Sequence, residues 1–124
     1  GKPIGSFQAV KHMLANVKVK LEYARPVVMR AAYSVAHGSP QRAVHVSMAK
    51  LVATEAARLG ARMSLQCHGA IGYTWEQDLH LWMRRAWSFD QSWRRAPFHL
   101  ARVRAAIVDG SLPIGPGQTF VGGA

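Results

Sequence analysis

The sequence predicts an all-helical, antiparallel bundle, and three observations carry that prediction. Phe7, Val10, Leu14, Val17, Leu21, Ala24, Val28, Ala31 and Val35 step by three and four residues, and every one is apolar. That is helical periodicity sustained for about eight turns. A second long segment is lined with small residues, which allow two helix backbones to approach closely. No stretch shows the period-two alternation of a strand flanked by hairpin signals. At 124 residues the chain has the size of one domain.

The first helix is expected to begin after Gly5, with Ser6 suited to the N-cap. Lys11, Lys18, Lys20, Glu22 and Arg30 fall between the apolar positions and give the helix a polar face, the pattern of an antiparallel bundle. Pro26 removes one ladder hydrogen bond and crowds the carbonyl of Glu22. Because the stripe resumes in phase at Val28, a kink is expected there rather than an end. His37, Gly38, Ser39 and Pro40 form a short connector, with Gly38 placed for a left-handed cap.

The second helix, about 41–67, carries Ala43, Ala49, Ala53, Ala56, Ala57, Gly60 and Ala61 alongside Val52, Leu59 and Met63. The run from His68 to Tyr73 breaks it. Thr74 with Gln77 then reads as a capping box for a third helix, with Glu76 and Asp78 in its first turn. Leu79, Trp82, Met83 and Ala86 share one side of that helix and are expected in the core. A break near 94–97 precedes a fourth, shorter helix through Leu100, Val103, Ala106 and Ile107 that stops at Gly110. Residues 1–109 thus form the bundle domain. Residues 110–124, with five glycines and two prolines, form an extended tail.

Sixteen lysines and arginines against six acids give a net charge of +10. Something acidic should complement it: nucleic acid, an anionic membrane surface, a phosphate-rich ligand or an acidic region of the same parent polypeptide. The arginines are spread along the chain, with no long basic block. No apolar run approaches the roughly 18–20 residues of a membrane span, and the N-terminus lacks the apolar stretch of a signal peptide. The single cysteine, Cys67, excludes an internal disulfide and any multi-cysteine metal site, and a cytoplasmic protein is expected.

The six histidines form neither a His-Glu-x-x-His pair nor a Glu-x-x-His pair facing a second carboxylate, so no metal is expected. His68 follows Cys67, but chain neighbours on a helix do not face each other, and a packed thiol is expected rather than a nucleophile. Trp75, Trp82, Trp87 and Trp93 are interleaved with Arg84, Arg85, Arg94 and Arg95. That composition suits a nucleic-acid stacking platform or a buried interface anchored by aromatics and arginines, and the shared apolar face of the third helix favours burial over nucleic acid. In the turn from Gln66 to Gly72, the glycines leave backbone amides free to approach a ligand such as a pyrophosphate just before a new helix.

Two motifs give this a context. Gly1-Lys2-Pro3-Ile4 with Phe7-Gln8 resembles the end of the Arg-x-x-Phe-Gly-Lys-x-Ile-x-x-Phe-Gln signature of acyl-CoA dehydrogenases. Gln66 to Glu76, followed by Leu79-His80-Leu81 and Arg84-Arg85-Ala86, is similar to that family's Gln-x-x-Gly-Gly-x-Gly-Tyr-Thr-x-Glu and the downstream Arg-Asp/Arg-Ala. The two motifs stand in the family's order, and the resemblance covers nearly the whole chain.

The resemblance implies the C-terminal helical domain of a flavoprotein that oxidises the Cα–Cβ bond of an acyl-CoA thioester, with FAD as hydride acceptor. It implies a homo- or hetero-oligomer in which this domain builds the subunit interface and reaches a neighbour's FAD. By position, Ile4 and Phe7 would border the adenine part, and Gln66, Gly69 and Ala70 would approach the pyrophosphate and ribitol. Ala70 stands where the family usually has a second glycine.

The chain begins inside the first motif, so it reads as a fragment that lacks one preceding bundle helix and is inactive alone. Such a fragment is expected to expose the stripe that starts at Phe7 and to self-associate. The resemblance implies that the glutamate serving many members as catalytic base falls near Trp93, Arg94 and Arg95, where there is none, and that in other members the base lies on the helix preceding the position of Gly1, so no residue here is assigned a catalytic role. Two alternatives follow from the same residues: a non-catalytic structural partner in such an enzyme, and a basic helical module for nucleic acid.

Overall fold

A computed structural model describes residues 1–115; the remainder of the predicted tail, 116–124, lies outside the described residues. A 3-10 turn at Ile4–Ser6 leads into α1 (Gln8–Ala36), followed by α2 (Arg42–His68), a second 3-10 turn at Gly69–Tyr73, α3 (Leu79–Gln91) and α4 (Ala96–Val108). There is no strand among the described residues. α2 is the central element: α1 packs along it as an antiparallel hairpin, and α3 and α4 pack on it as well.

The hairpin is closed by Gly38, whose φ of 64° is the left-handed conformation expected of it. The amide of Ser39 donates to the carbonyl of Ser34 at 2.9 Å, satisfying one of the last free carbonyls of α1. α1 is continuous through Pro26. The small residues of α2 do what their size predicts: a Cβ added at Gly60 would stand 3.7 Å from Val17 Cγ1. The buried apolar residues are Ala24, Ala31, Ala49, Ala56 and Ala106 with Met83 and Leu112. A core built mostly of alanine holds the backbones close together but covers little surface.

The long stripe of α1 divides in two. Ala24 and Ala31 are buried and Val10 and Val17 half-buried against α2, whereas Phe7, Leu14, Leu21, Val28 and Val35 are exposed. One neighbouring helix covers only one flank of an apolar stripe.

Four sequence expectations are corrected. Ser6 is not the N-cap of α1. Its amide closes a 3-10 turn on the Pro3 carbonyl at 2.9 Å, and Phe7 takes the cap position with no side-chain cap bond. Thr74 does not cap α3. Its amide and its hydroxyl both donate to the Ile71 carbonyl, at 3.1 and 2.8 Å, which closes the second 3-10 turn, and its Oγ1 accepts from the Glu76 amide at 3.4 Å. α3 therefore starts at Leu79, and Glu76 and Asp78 precede it, with Asp78 in the cap position. Trp82 is not core: it is 70% exposed while Met83 beside it is buried. α4, at 13 residues, is as long as α3.

Two buried polar pairs tie the helices together. Ser34 Oγ on α1 and His45 Nδ1 on α2 are 2.8 Å apart. Burial, and then the nearby charge of Arg30, holds the His45 imidazole below its ordinary pKa. The folded chain therefore takes up this proton at lower pH than the unfolded chain does. Between the two pKa values the unfolded state binds more protons, so stability is fully present above the unfolded value of about 6.5 and declines as pH falls below it. Replacing His45 with asparagine is expected to flatten part of this decline. Urea midpoints of both proteins at pH 7.5 and pH 5 check it, and equal acid sensitivity would exclude His45 as the source.

Candidate functional site

Antiparallel pairing of α1 with α2 decides where the candidate residues meet. Ser34 faces His45, Lys20 pairs with Glu55, and Val17 lies against Gly60. Continued along the hairpin, this register brings the start of α1 to the end of α2. Ile4 and Phe7 thus lie at the same end of the bundle as Gln66, Gly69 and Ala70. All five are exposed, Ile4 by 62% and Phe7 by 54%. None is committed to the chain's own core, and the end they form is open to a group approaching from outside.

The two glycines of the turn have opposite roles. Gly69 ends α2 with φ 60° and ψ −140°, a backbone conformation nearly restricted to glycine, yet a Cβ there would meet nothing within 4 Å. It is needed for its dihedrals and leaves the backbone uncovered. Gly72 is buried, and a Cβ there would stand 3.0 Å from His68 Cβ and 3.1 Å from Leu65 Cδ1. The close approach the sequence suggested is thus made by the protein itself at Gly72. Gly72→Ala is expected to destabilise the fold by about 1–3 kcal/mol through overpacking. Chemical denaturation would measure it, and a change below about 0.5 kcal/mol would mean the turn relaxes freely.

Neighbouring bonds stiffen the turn. His68 Nδ1 lies 2.7 Å from the Ser64 carbonyl, and the Glu76 amide donates to Thr74 Oγ1 at 3.4 Å. Arg84 lies 4.9 Å over the Trp75 ring, which also contacts His80 edge-on at 4.4 Å. Cys67 is half-buried at the end of α2. No group of three or more His, Cys, Asp or Glu side chains that could hold a metal ion occurs among the described residues. No helix among them is long and apolar enough to cross a membrane.

A second feature lies along α2. An open groove of about 770 Å³ runs between it and the neighbouring helices, floored by Leu51, Leu59, Leu65, Met83, Trp87 and Leu100. Lys20, Lys50, Arg58 and Arg62 line it as cations, with Glu55 and Asp90 as acids. The segment 93–95, where the sequence reading looked for a catalytic carboxylate, has none. It forms the turn between α3 and α4, with Trp93 and Arg94 both at positive φ, 53° and 75°.

A family profile described as the acyl-CoA dehydrogenase C-terminal domain matches residues 1–90. The chain belongs to the acyl-CoA dehydrogenase family. Similar proteins include the acyl-CoA dehydrogenase IpdE2 of Mycobacterium tuberculosis, 43% identical over 86 residues, which are 69% of this chain and 25% of that protein. The acyl-CoA dehydrogenase FadE34 of the same organism is 41% identical over 87 residues, 69% of this chain and 12% of its own length. The 3-sulfinopropanoyl-CoA desulfinase of Paraburkholderia xenovorans is 34% identical over 112 residues, 90% of this chain and 28% of the desulfinase. No solved structure gives a significant match. The chain thus spans a quarter or less of the first two relatives and corresponds to the family's helical C-terminal domain.

Proposed function

We propose that this chain is the C-terminal bundle of an FAD-dependent acyl-CoA dehydrogenase, which removes hydrogen across the α,β bond of an acyl-CoA thioester. It would contribute to the subunit interface of a homo- or hetero-oligomer and form one wall of a neighbouring subunit's FAD site. The observation that carries this reading is the uncovered turn at Gly69–Tyr73, inside the family match and at the same end as Ile4 and Phe7. The residues fit such a role. Ile4 and Phe7 offer exposed apolar surface for an adenine, and Gln66 offers a side-chain amide. Gly69 and Ala70 leave the backbone accessible to a pyrophosphate. FAD, when bound, supplies the hydride acceptor; this chain's part is to hold and orient it. A half-buried free thiol, Cys67, fits a reducing, cytoplasmic compartment.

The test is the visible spectrum of the protein from the complete reading frame, purified without added cofactor and then titrated with a panel of acyl-CoAs. A flavin band that one thioester bleaches supports the proposal and begins to name the substrate. Purification without flavin would overturn it. A second reading, a subunit that completes the oligomer without catalysing, is favoured by the turn at 93–95, which carries no carboxylate. It predicts a flavin band that no thioester bleaches until a second, catalytic subunit is added.

A further inference from the structure

Beyond α4 the chain turns back on the bundle. Gly110 reverses it at φ 72°. The Asp109 carboxylate accepts from the Ser111 amide at 2.9 Å, and the Leu112 amide donates to the Ala106 carbonyl at 3.0 Å. Residues 109–114 thereby cross the seam between α1 and α2, and Leu112 is buried there although it belongs to no helix. Leu112, Pro113 and Ile114 form one wall of a cleft of about 350 Å³; Pro26, Val27 and Arg30 of α1 and His45 and Met48 of α2 form the others. His45 is only 5% exposed. Its Nδ1 is tied to Ser34 Oγ, and its Nε2 bonds to no other residue among the described ones. Arg30 is the other ionisable residue lining the cleft, and 110–114 carry no charge. Arg102 of α4 is bonded to the Ala43 carbonyl and to Ser47 Oγ, about half a turn round α2 from His45.

We propose that residues 109–114 are a proton-operated latch: protonation of His45 lifts Leu112 off the seam while the helices stay packed. An imidazolium carries a charge and two N–H donors. Ser34 serves one donor, the second has no acceptor among the described residues, and the charge of Arg30 opposes that of the ring. A charged ring so placed needs water. The helices resist separation, because the Val17–Gly60 contact, the Lys20–Glu55 pair and the Ser34–His45 bond join α1 to α2 along its length. The third wall is six residues anchored by one buried side chain, Leu112, and a segment with few buried contacts opens first. Burial and Arg30 depress the His45 pKa while the latch is shut; once water reaches the ring, the pKa returns toward its ordinary value of about 6.5. Opening takes up a proton between those two values. The latch is therefore shut above about pH 6.5 and opens progressively as pH falls below it. The contacts that carry it lie within this chain and are independent of flavin chemistry.

Backbone hydrogen exchange of the complete protein, expressed as protection factors at pH 7.5 and pH 5, reads the latch. Protection around Leu112 is expected to fall by at least about threefold more in the parent than in His45→Asn, which can still bond Ser34 but does not titrate. Protection around Ala49 and Ala56 on α2 is expected to persist. The linkage runs both ways, so Leu112→Ala should raise the pH at which His45 protonates, read by deuterium exchange at the imidazole C2–H. Ile114→Ala, at a position 69% exposed, should not. This second arm stands even where His45→Asn fails to fold. Equal falls in the parent and His45→Asn would overturn the proposal, as would protection around Leu112 that ignores pH. Loss of protection on α2 in step with Leu112 would make the effect global unfolding and overturn it too. So would a His45 titration that Leu112→Ala leaves unmoved.

Discussion

Ser47→Ala is expected to destabilise the fold by about 2–3 kcal/mol, lowering the thermal midpoint by roughly 8–12 °C. Ser47 is fully buried on α2, with its Oγ 3.0 Å from His99 Nδ1 on α4, and Arg102 Nη1 donates to the same oxygen at 3.3 Å. The other ring nitrogen, His99 Nε2, lies 3.1 Å from the Trp93 carbonyl. A carbonyl only accepts, so Nε2 carries a proton, and in the neutral ring Nδ1 accepts the Ser47 hydroxyl proton. The chain of donors then runs from Arg102 through Ser47 and His99 to the backbone of the α3–α4 turn. Alanine fits the space but leaves the buried His99 Nδ1 without a donor, and an orphaned buried polar atom costs more than the bond itself was worth. The same bond to Trp93 holds a turn in which two residues with side chains sit at positive φ, each at a cost of about 1–3 kcal/mol. Loosening the ring should therefore also alter the fluorescence of Trp93. Unfolding by urea and by heat measures the first effect. A loss under about 0.5 kcal/mol would mean the ring finds water or another donor.

This network also marks where the sequence stopped being informative. The two long helices were legible because their order is local: steps of three and four along α1, alanines along α2, and a glycine where the backbone must turn left-handed. The Ser47–His99 bond joins residues 52 apart, and nothing in either neighbourhood announces it. The positive φ of Trp93 and Arg94 was hidden for the same reason, since no glycine or asparagine marks a conformation imposed from α4. At Thr74 the local signal was present, but its oxygen accepts from the Glu76 amide in a turn and not from the first turn of a helix, because the capping-box pattern does not encode that a 3-10 turn ends just before it and that α3 starts only at Leu79. Trp82 was misassigned because periodicity reports a shared face, not whether anything packs on that face. At the candidate site the glycines were visible and their division of labour was not. Gly69 and Gly72 read alike in sequence, and only packing separates the open position from the filled one.

Ala70 provides a larger functional effect with almost no structural one. It is exposed on the second 3-10 turn, next to the uncovered Gly69. If this turn approaches the FAD pyrophosphate as proposed, Ala70→Glu places a carboxylate against like charge. A pair of unit charges about 5 Å apart repels by roughly 3 kcal/mol at an effective dielectric of about 20, on the order of a hundredfold in flavin affinity. Ala70→Gly removes the methyl group from the same surface and restores the family's usual residue, so it should hold flavin at least as tightly as the parent. Thermal midpoints of the two apoproteins should stay close to that of the parent, because no packed contact is lost. The measurement is flavin retention of the complete protein through gel filtration, followed by titration of the apoprotein with FAD. Opposite movements of the two variants at unchanged stability would tie the turn to the cofactor. Parallel movements, or a loss that tracks the thermal midpoint, would mean that residue 70 acts only through the fold.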